Sequence, residues 1–259
     1  SGVLIGAELD QIASRETNPL RITPTQKRAI RESVVPYWYR RSVLARAPGY
    51  SANPQLLNQM NEGQRFILTQ LAGISHVTPD YPSVLQLGFV GLERRLKDRL
   101  HRLESATPKH AQSTAAQRAQ IAFCEAGLTV CAAAIRYGRR WSEHLRGLAA
   151  RETDGARRGE LAELASIFER VPAQPAESFH EALQSVFITH VIVHQESFQH
   201  GVSFGRLDQY LTPYLMRDLE SGQLDRARAV ELIGSFLGKA AEMVPLFFER
   251  ATEYFSGLS

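Results

Sequence analysis

Two polar stretches hold the side chains whose types and spacing could do chemistry. The first, Gly73-Ile74-Ser75-His76-Val77-Thr78-Pro79-Asp80-Tyr81, lies between two amphipathic runs. Asp80 suits the cap of the helix that follows, whereas His76 is not needed for a cap and can serve as hydrogen-bond partner or proton shuttle. The second, Gln195-Glu196-Ser197-Phe198-Gln199-His200, follows directly on the most apolar run of the chain. Polar groups at the end of a buried element must find partners in the protein or in a ligand, so a pocket would be wetted here. His190 and His194 stand one helical turn apart, a spacing zinc can use. Their setting inside an apolar helix favours core histidines, no third ligand is evident, and no metal site is expected. No Walker loop, dinucleotide fingerprint, HExxH or GxSxG occurs.

The bulk numbers narrow the class. The chain has 259 residues, 44% hydrophobic and 22% charged, which suits one large globular domain or two small ones. Thirty Lys+Arg against 27 Asp+Glu is too small an excess to argue for a nucleic-acid partner. Two cysteines make no disulfide framework. The run Val186 to Val193 is interrupted by Thr189 and His190 and is too short to span a bilayer. The first residues lack the basic region of a secretory signal. The expectation is a cytoplasmic protein with neither nucleic acid nor membrane as partner. Phe255 to Ser259 form no cap and no polar tail, so the chain is expected to continue.

Helix signals must position these residues. Thr23-Pro24 caps a helix to about Val35, and Pro36 starts or kinks a second segment, Tyr37 to Ala47. Pro54 to Leu71 and Tyr81 to Leu103 are amphipathic. The longest helix is expected from Ser113 to Ala150, with Ile121, Cys124, Leu128, Cys131 and Ile135 on one stripe. Both cysteines then read as buried core thiols. A helix follows from Asp154 to Val171. Pro175 opens another, which turns Phe179, Leu183, Val186, Phe187, His190, Val191 and His194 inward. His200 to Gly205 alternates and is the best candidate for an inner strand. Asp208 and Asp225 cap the last two helices. The class is mainly α with a few β strands, a helical layer around an incomplete sheet.

Three runs then become recognisable. Val171 to Gln184 reads VPAQPAESFHEALQ and resembles the VPxxPAxxFxEALQ signature of the glycyl radical enzyme superfamily, the pyruvate formate-lyase-like group. Glu196-Ser197 through His200, Ser203, Gly205-Arg206 and Asp208-Gln209-Tyr210-Leu211 to Pro213-Tyr214 resembles ESxxHxxSxGRxDQYLxPY. Ser75 to Gly91 resembles GHxxxDYxxVLxxGxxG, with Ser75 where the pattern has glycine. The chain is thereby identified as resembling the N-terminal portion, residues 1–259, of an incomplete pyruvate formate-lyase-like domain.

The resemblance implies a helical shell and the first part of a ten-stranded β/α barrel. It implies a glycyl radical, installed by a radical S-adenosylmethionine activating enzyme, that oxidises a barrel cysteine to a thiyl; the thiyl takes hydrogen from the substrate. That cysteine lies in a Gly-Cys-x-Glu loop and the glycine in an Arg-Val-x-Gly-Tyr loop. Cys124 is followed by Glu125-Ala126 and Cys131 by alanines, and Arg46 to Tyr50 mimics the glycyl loop only at the end of a helix. No catalytic residue is therefore placed in this chain, and no bound cofactor. What carries over is the substrate side: His76 as partner of a substrate hydroxyl, Ser197 as a second polar contact and Phe255 as an aromatic wall. A lyase or dehydratase acting on a small hydroxylated substrate is implied, as a homodimer. The alternatives are a carbon–carbon lyase or decarboxylase of the same family, or a truncated chain acting only as a helical binding or structural module.

Overall fold

The structure is a computed structural model that describes residues 8–16, 19–39, 41, 55, 77–106, 114–196 and 201–243. It divides into two units. One comprises Ser1–Thr78, Val193–Ser203 and Gly238–Ser259, the other Pro79–Ile192 and Phe204–Leu237.

In the first unit a turn at residues 8–14 buries Leu9 and Ile12, and Asp10 pairs with Arg31 at 3.0 Å. Helix α1, Pro24–Ala29, starts as its sequence demands. Thr23 Oγ1 accepts from Gln26 N–H at 3.2 Å, and Gln26 Oε1 accepts from Thr23 N–H at 2.8 Å, a reciprocal capping box. The expected kink at Pro36 takes another form. A π-helical turn at Ile30–Val34 precedes it, and the chain stays helical through Pro36 in α2, Val35–Tyr39. Pro36 has no N–H to give the carbonyl of Glu32 and its ring crowds that carbonyl. The wider turn, in which Val35 N–H reaches Ile30 C=O, removes the conflict one residue early. The rest of the segment expected to Ala47 and the run Pro54–Leu71, apart from Arg41 and Gln55, lie outside the described residues.

The second unit is built on α3 Tyr81–Ser105, α4 Ala115–Ala149, α5 Gly155–Arg170, α6 Phe179–Glu196, α7 Leu207–Glu220 and α8 Arg226–Ala241, of which residues 193–196 of α6 and 238–241 of α8 belong to the first unit. Asp80, Thr114, Asp154 and Asp225 cap α3, α4, α5 and α8 by accepting backbone N–H bonds three residues on. Helix α4 packs on both α3 and α5 and buries Cys124 and Cys131 on one stripe. By length and composition a window of α4 could cross a membrane, with mean hydropathy 1.3 and 17% of it buried. Helix α6 is buried nearly all round its middle turns: Ala182, Leu183, Ser185, Val186, Ile188, Thr189 and His190. Phe179, Leu183, Val186 and His190 face inward as expected, while Phe187, Val191 and His194 are half-buried. Full burial of a Phe179 or Leu85 contributes about 2 kcal/mol.

Helix α3 breaks at Gly88, whose φ of 59° lies in the left-handed region. The backbone groups freed by the break are taken up by the segment after α5. Phe89 N–H donates to Pro172 C=O at 2.9 Å, Val90 N–H to Ala173 C=O at 3.0 Å, and Ala176 N–H to Leu85 C=O at 3.0 Å. The segment also lies on Gly138 of α4, where a Cβ would stand 2.8 Å from Pro172 Cδ.

Three expectations are corrected. Helix α6 opens at Phe179, not Pro175, because residues 172–176 spend their peptide groups on α3; Ser178 Oγ accepts Glu181 N–H at 3.1 Å instead. Among the described residues there is no strand: 202–206 has no ladder, only one backbone bond from Ser203 N–H to Val77 C=O at 2.9 Å, and alternation without a partner makes no sheet. Asp208 is not a cap. Gly205, at φ 67°, turns the chain earlier, so α7 begins at Leu207 and Asp208 sits in its first turn, paired with Arg206 at 2.7 Å.

Candidate functional site

His76, Ser197 and Phe255 lie outside the described residues. What is described are the shoulders of the stretches that carry the first two: Val77 to Asp80, and Gly201 to Arg206. In the first unit these shoulders meet through the Ser203–Val77 bond.

In the second unit, Tyr81, which follows the first shoulder, and Phe204, within the second, meet in one cluster with His190. Tyr81 has no exposed surface, and its phenol oxygen is hydrogen-bonded to His190 Nδ1 at 2.7 Å. The His190 ring stacks on Phe204, centroids 4.0 Å apart and planes at 25°. Phe204 packs in turn on Phe236 at 5.0 Å. Tyr210 Oη donates to Phe204 C=O at 2.8 Å, which fixes the backbone just before α7. Burial, and secondarily Tyr210, pushes the Tyr81 phenol well above its ordinary range; burial does the same to Tyr210. Both stay protonated at neutral pH and hold position rather than act as bases.

Charged side chains fix the start of α6. Asp218, almost fully buried, accepts Phe179 N–H at 2.6 Å and pairs with Arg217 Nε at 3.2 Å. It thereby fixes the N-terminus of α6, where a negative group is favoured by the helix dipole. Arg217 also donates to Glu177 C=O. Glu181 accepts from Glu177 N–H at 2.7 Å and from Arg170 Nε at 3.0 Å. A cavity of about 520 Å³ opens beside α7, between Pro82, Leu85, Pro175, Tyr210, Pro213 and Tyr214. That volume lies within the roughly 300–1,000 Å³ of small-ligand pockets. Its walls are mainly proline and tyrosine faces, with Gln86, Gln209 and Arg217 as the polar lining and no acid–base pair.

Among the described residues no three His, Cys, Asp or Glu side chains cluster as metal ligands. His190 is the core histidine its setting predicted, and the Tyr81 bond gives it a partner the sequence does not disclose. Asp218 is the other residue the sequence leaves unmarked. Its one signal is that the first N–H groups of α6 need acceptors, and the acceptor lies 39 residues on.

A family model described as pyruvate formate lyase-like matches residues 2–259. The isethionate sulfite-lyase of Desulfovibrio desulfuricans is 28% identical over 256 residues, 95% of this chain and 30% of that protein. The trans-4-hydroxy-L-proline dehydratase of Clostridioides difficile is 27% identical over 227 residues, 87% of this chain and 28% of that protein. A structure of 1,2-propanediol dehydration in Roseburia inulinivorans matches with TM-score 0.81 and 30% identity, covering 99% of this chain and 31% of that one. The chain thus spans about a third of the length of the proteins it matches.

Proposed function

The chain belongs to the pyruvate formate lyase-like family of glycyl radical enzymes, and on that premise we propose that it forms the N-terminal, substrate-side part of a lyase or dehydratase acting on a small hydroxylated substrate. The whole enzyme would be cytoplasmic, homodimeric and served by a radical S-adenosylmethionine activating enzyme, with the helices described here forming part of the shell of a ten-stranded barrel. The thiyl radical, formed on a cysteine outside this chain, would supply hydrogen-atom abstraction from the substrate. Cys124 and Cys131 do not suit that role. Both are buried on the packed stripe of α4, and burial raises the Cys131 thiol above its ordinary range.

His76 would hydrogen-bond the substrate hydroxyl and stabilise charge as the carbon–oxygen bond breaks; Ser197 would orient the same group and Phe255 wall the cavity. One observation carries the reading. The runs that hold His76 and Ser197 lead directly into Tyr81 and Phe204, and these side chains meet in one buried cluster with His190 between them. Relatives named for isethionate and for trans-4-hydroxy-L-proline, and a neighbour for 1,2-propanediol, support the substrate class.

The test uses the full-length protein that carries this chain, activated without oxygen and offered 1,2-propanediol or isethionate. His76→Ala and Ser197→Ala should keep the doublet radical signal in electron spin resonance while turnover falls about a hundredfold. Unchanged turnover removes their roles. Absence of a radical from the unmodified, activated protein sinks the enzyme reading and leaves a helical module.

A further inference from the structure

Tyr81 and His190 are a buried polar pair that stability alone does not explain. The phenol has no exposed surface, and Phe204, with Phe236 behind it, and Tyr210 close around the pair. Two apolar side chains of the same shape would serve a dry aromatic cluster about as well, because hydroxyl and ring nitrogen each gave up water to meet. The bond between them has a direction. Tyr81 Oη lies 2.7 Å from His190 Nδ1, and among the described residues no other acceptor reaches it. If the imidazole donated, the phenolic hydrogen would be buried without an acceptor, so the phenol donates and Nδ1 is the basic nitrogen.

A phenol that loses an electron becomes a strong acid. In a dry site its proton leaves only along a hydrogen bond to a base, and a neutral imidazole nitrogen is such a base. Tyr210 makes the contrast. Its ring stands 6.1 Å from that of Tyr81, but its hydroxyl donates to the carbonyl of Phe204, an oxygen that takes up no proton. The imidazole is also held in place, stacked on Phe204 at 4.0 Å.

We propose that Tyr81 and His190 form a proton-coupled redox site, which takes up one oxidising equivalent strayed from a thiyl radical. One electron passes from the Tyr81 ring to the thiyl sulfur, which becomes a thiolate. The Tyr81 O–H bond breaks and its proton forms an N–H bond at His190 Nδ1. The products are a neutral tyrosyl radical and an imidazolium, whose positive charge balances the thiolate. The thiyl radical as oxidant rests on the function proposed above; the capacity of the pair to be oxidised does not.

The pair is tested first in the full-length protein before activation, without oxygen, with photogenerated tris(bipyridine)ruthenium(III) as oxidant. Electron spin resonance of samples frozen after the flash should show a tyrosyl radical coupled to an exchangeable proton. Tyr81→Phe should lose that signal and Tyr210→Phe should keep it. His190→Gln separates redox chemistry from packing: its amide oxygen still accepts the phenol hydrogen bond but takes up no proton. Helical circular dichroism should therefore hold while the signal is lost. A signal that survives Tyr81→Phe or His190→Gln overturns the site. The activated protein is then held without substrate, and a tyrosyl signal should rise as the glycyl doublet falls, except in His190→Gln. A doublet that decays with no tyrosyl signal overturns the thiyl radical as oxidant and leaves the roles of His76 and Ser197 untouched. Absence of any doublet fails the enzyme reading instead, and the flash experiment still decides the pair.

Discussion

A Cβ on Gly88 would stand 2.3 Å from the carbonyl oxygen of Ala173, a distance at which backbone must move. The residue is also in the left-handed region, at φ 59°. Gly88→Ala combines both penalties and should lower the stability of the second unit by about 3 kcal/mol, read as a reduced denaturation midpoint in urea. An unchanged midpoint would mean that the break in α3 is not bound to the segment at Pro172.

Tyr81→Phe removes one oxygen and leaves the ring. The bond to His190 is lost in a site without water access, so the cost should be about 1–2 kcal/mol. Phe204, stacked on the same imidazole, gives a second readout: its ring resonances should shift in nuclear magnetic resonance spectra of the variant.

Asp218→Ala leaves the Phe179 N–H without its acceptor and frees one partner of Arg217. The expected loss is about 3 kcal/mol. Hydrogen exchange should locate it, with the first turn of α6 losing protection before the middle of that helix does. Uniform loss would place the role of Asp218 elsewhere.

His180 links pH to stability. Burial, its largest influence, lowers its pKa from 6.5, against the raising effect of Glu163 at 3.0 Å; Arg228 adds to the lowering and Glu181 opposes it. The unfolded chain then binds the proton more readily than the folded one. Stability from this group is present above pH 6.5 and falls as pH drops from there towards the lower folded value. In His180→Gln, unfolding free energy should depend less steeply on pH in that window. A steeper dependence would reverse the sign.

Local signals were legible in the sequence. Thr23, Asp80 and Asp225, read as caps, each cap through a bond to a residue three positions on, so their chemistry is written within one turn; Thr114 and Asp154 cap in the same way, and Asp208, read as a cap, does not. The Cys124–Cys131 stripe follows from helical period alone. Long-range partners were not legible. Gly88 reads as an ordinary glycine in an amphipathic helix because what breaks the helix lies more than eighty residues on. The same holds for Tyr81 with His190, 109 residues apart, and Phe179 with Asp218. Residues 201–205 alternate like a strand, but alternation states a preference for two faces and supplies no neighbouring strand. For the candidate site, the three motif runs were readable and Tyr81, Phe204 and Tyr210 within them converge. The roles of His76 and Ser197 rest with the functional test, and Phe255 lies with them outside the described residues.

The break in α3 also decides how the helix can form. Helix growth proceeds by adding each N–H to a carbonyl already fixed one turn earlier, and that zipper stops when Phe89 and Val90 give their N–H groups to Pro172 and Ala173. Helical turns on either side of Gly88 can form locally, but the break between them needs acceptors from chain beyond α5, so an outwardly local helix carries a non-local contact within it.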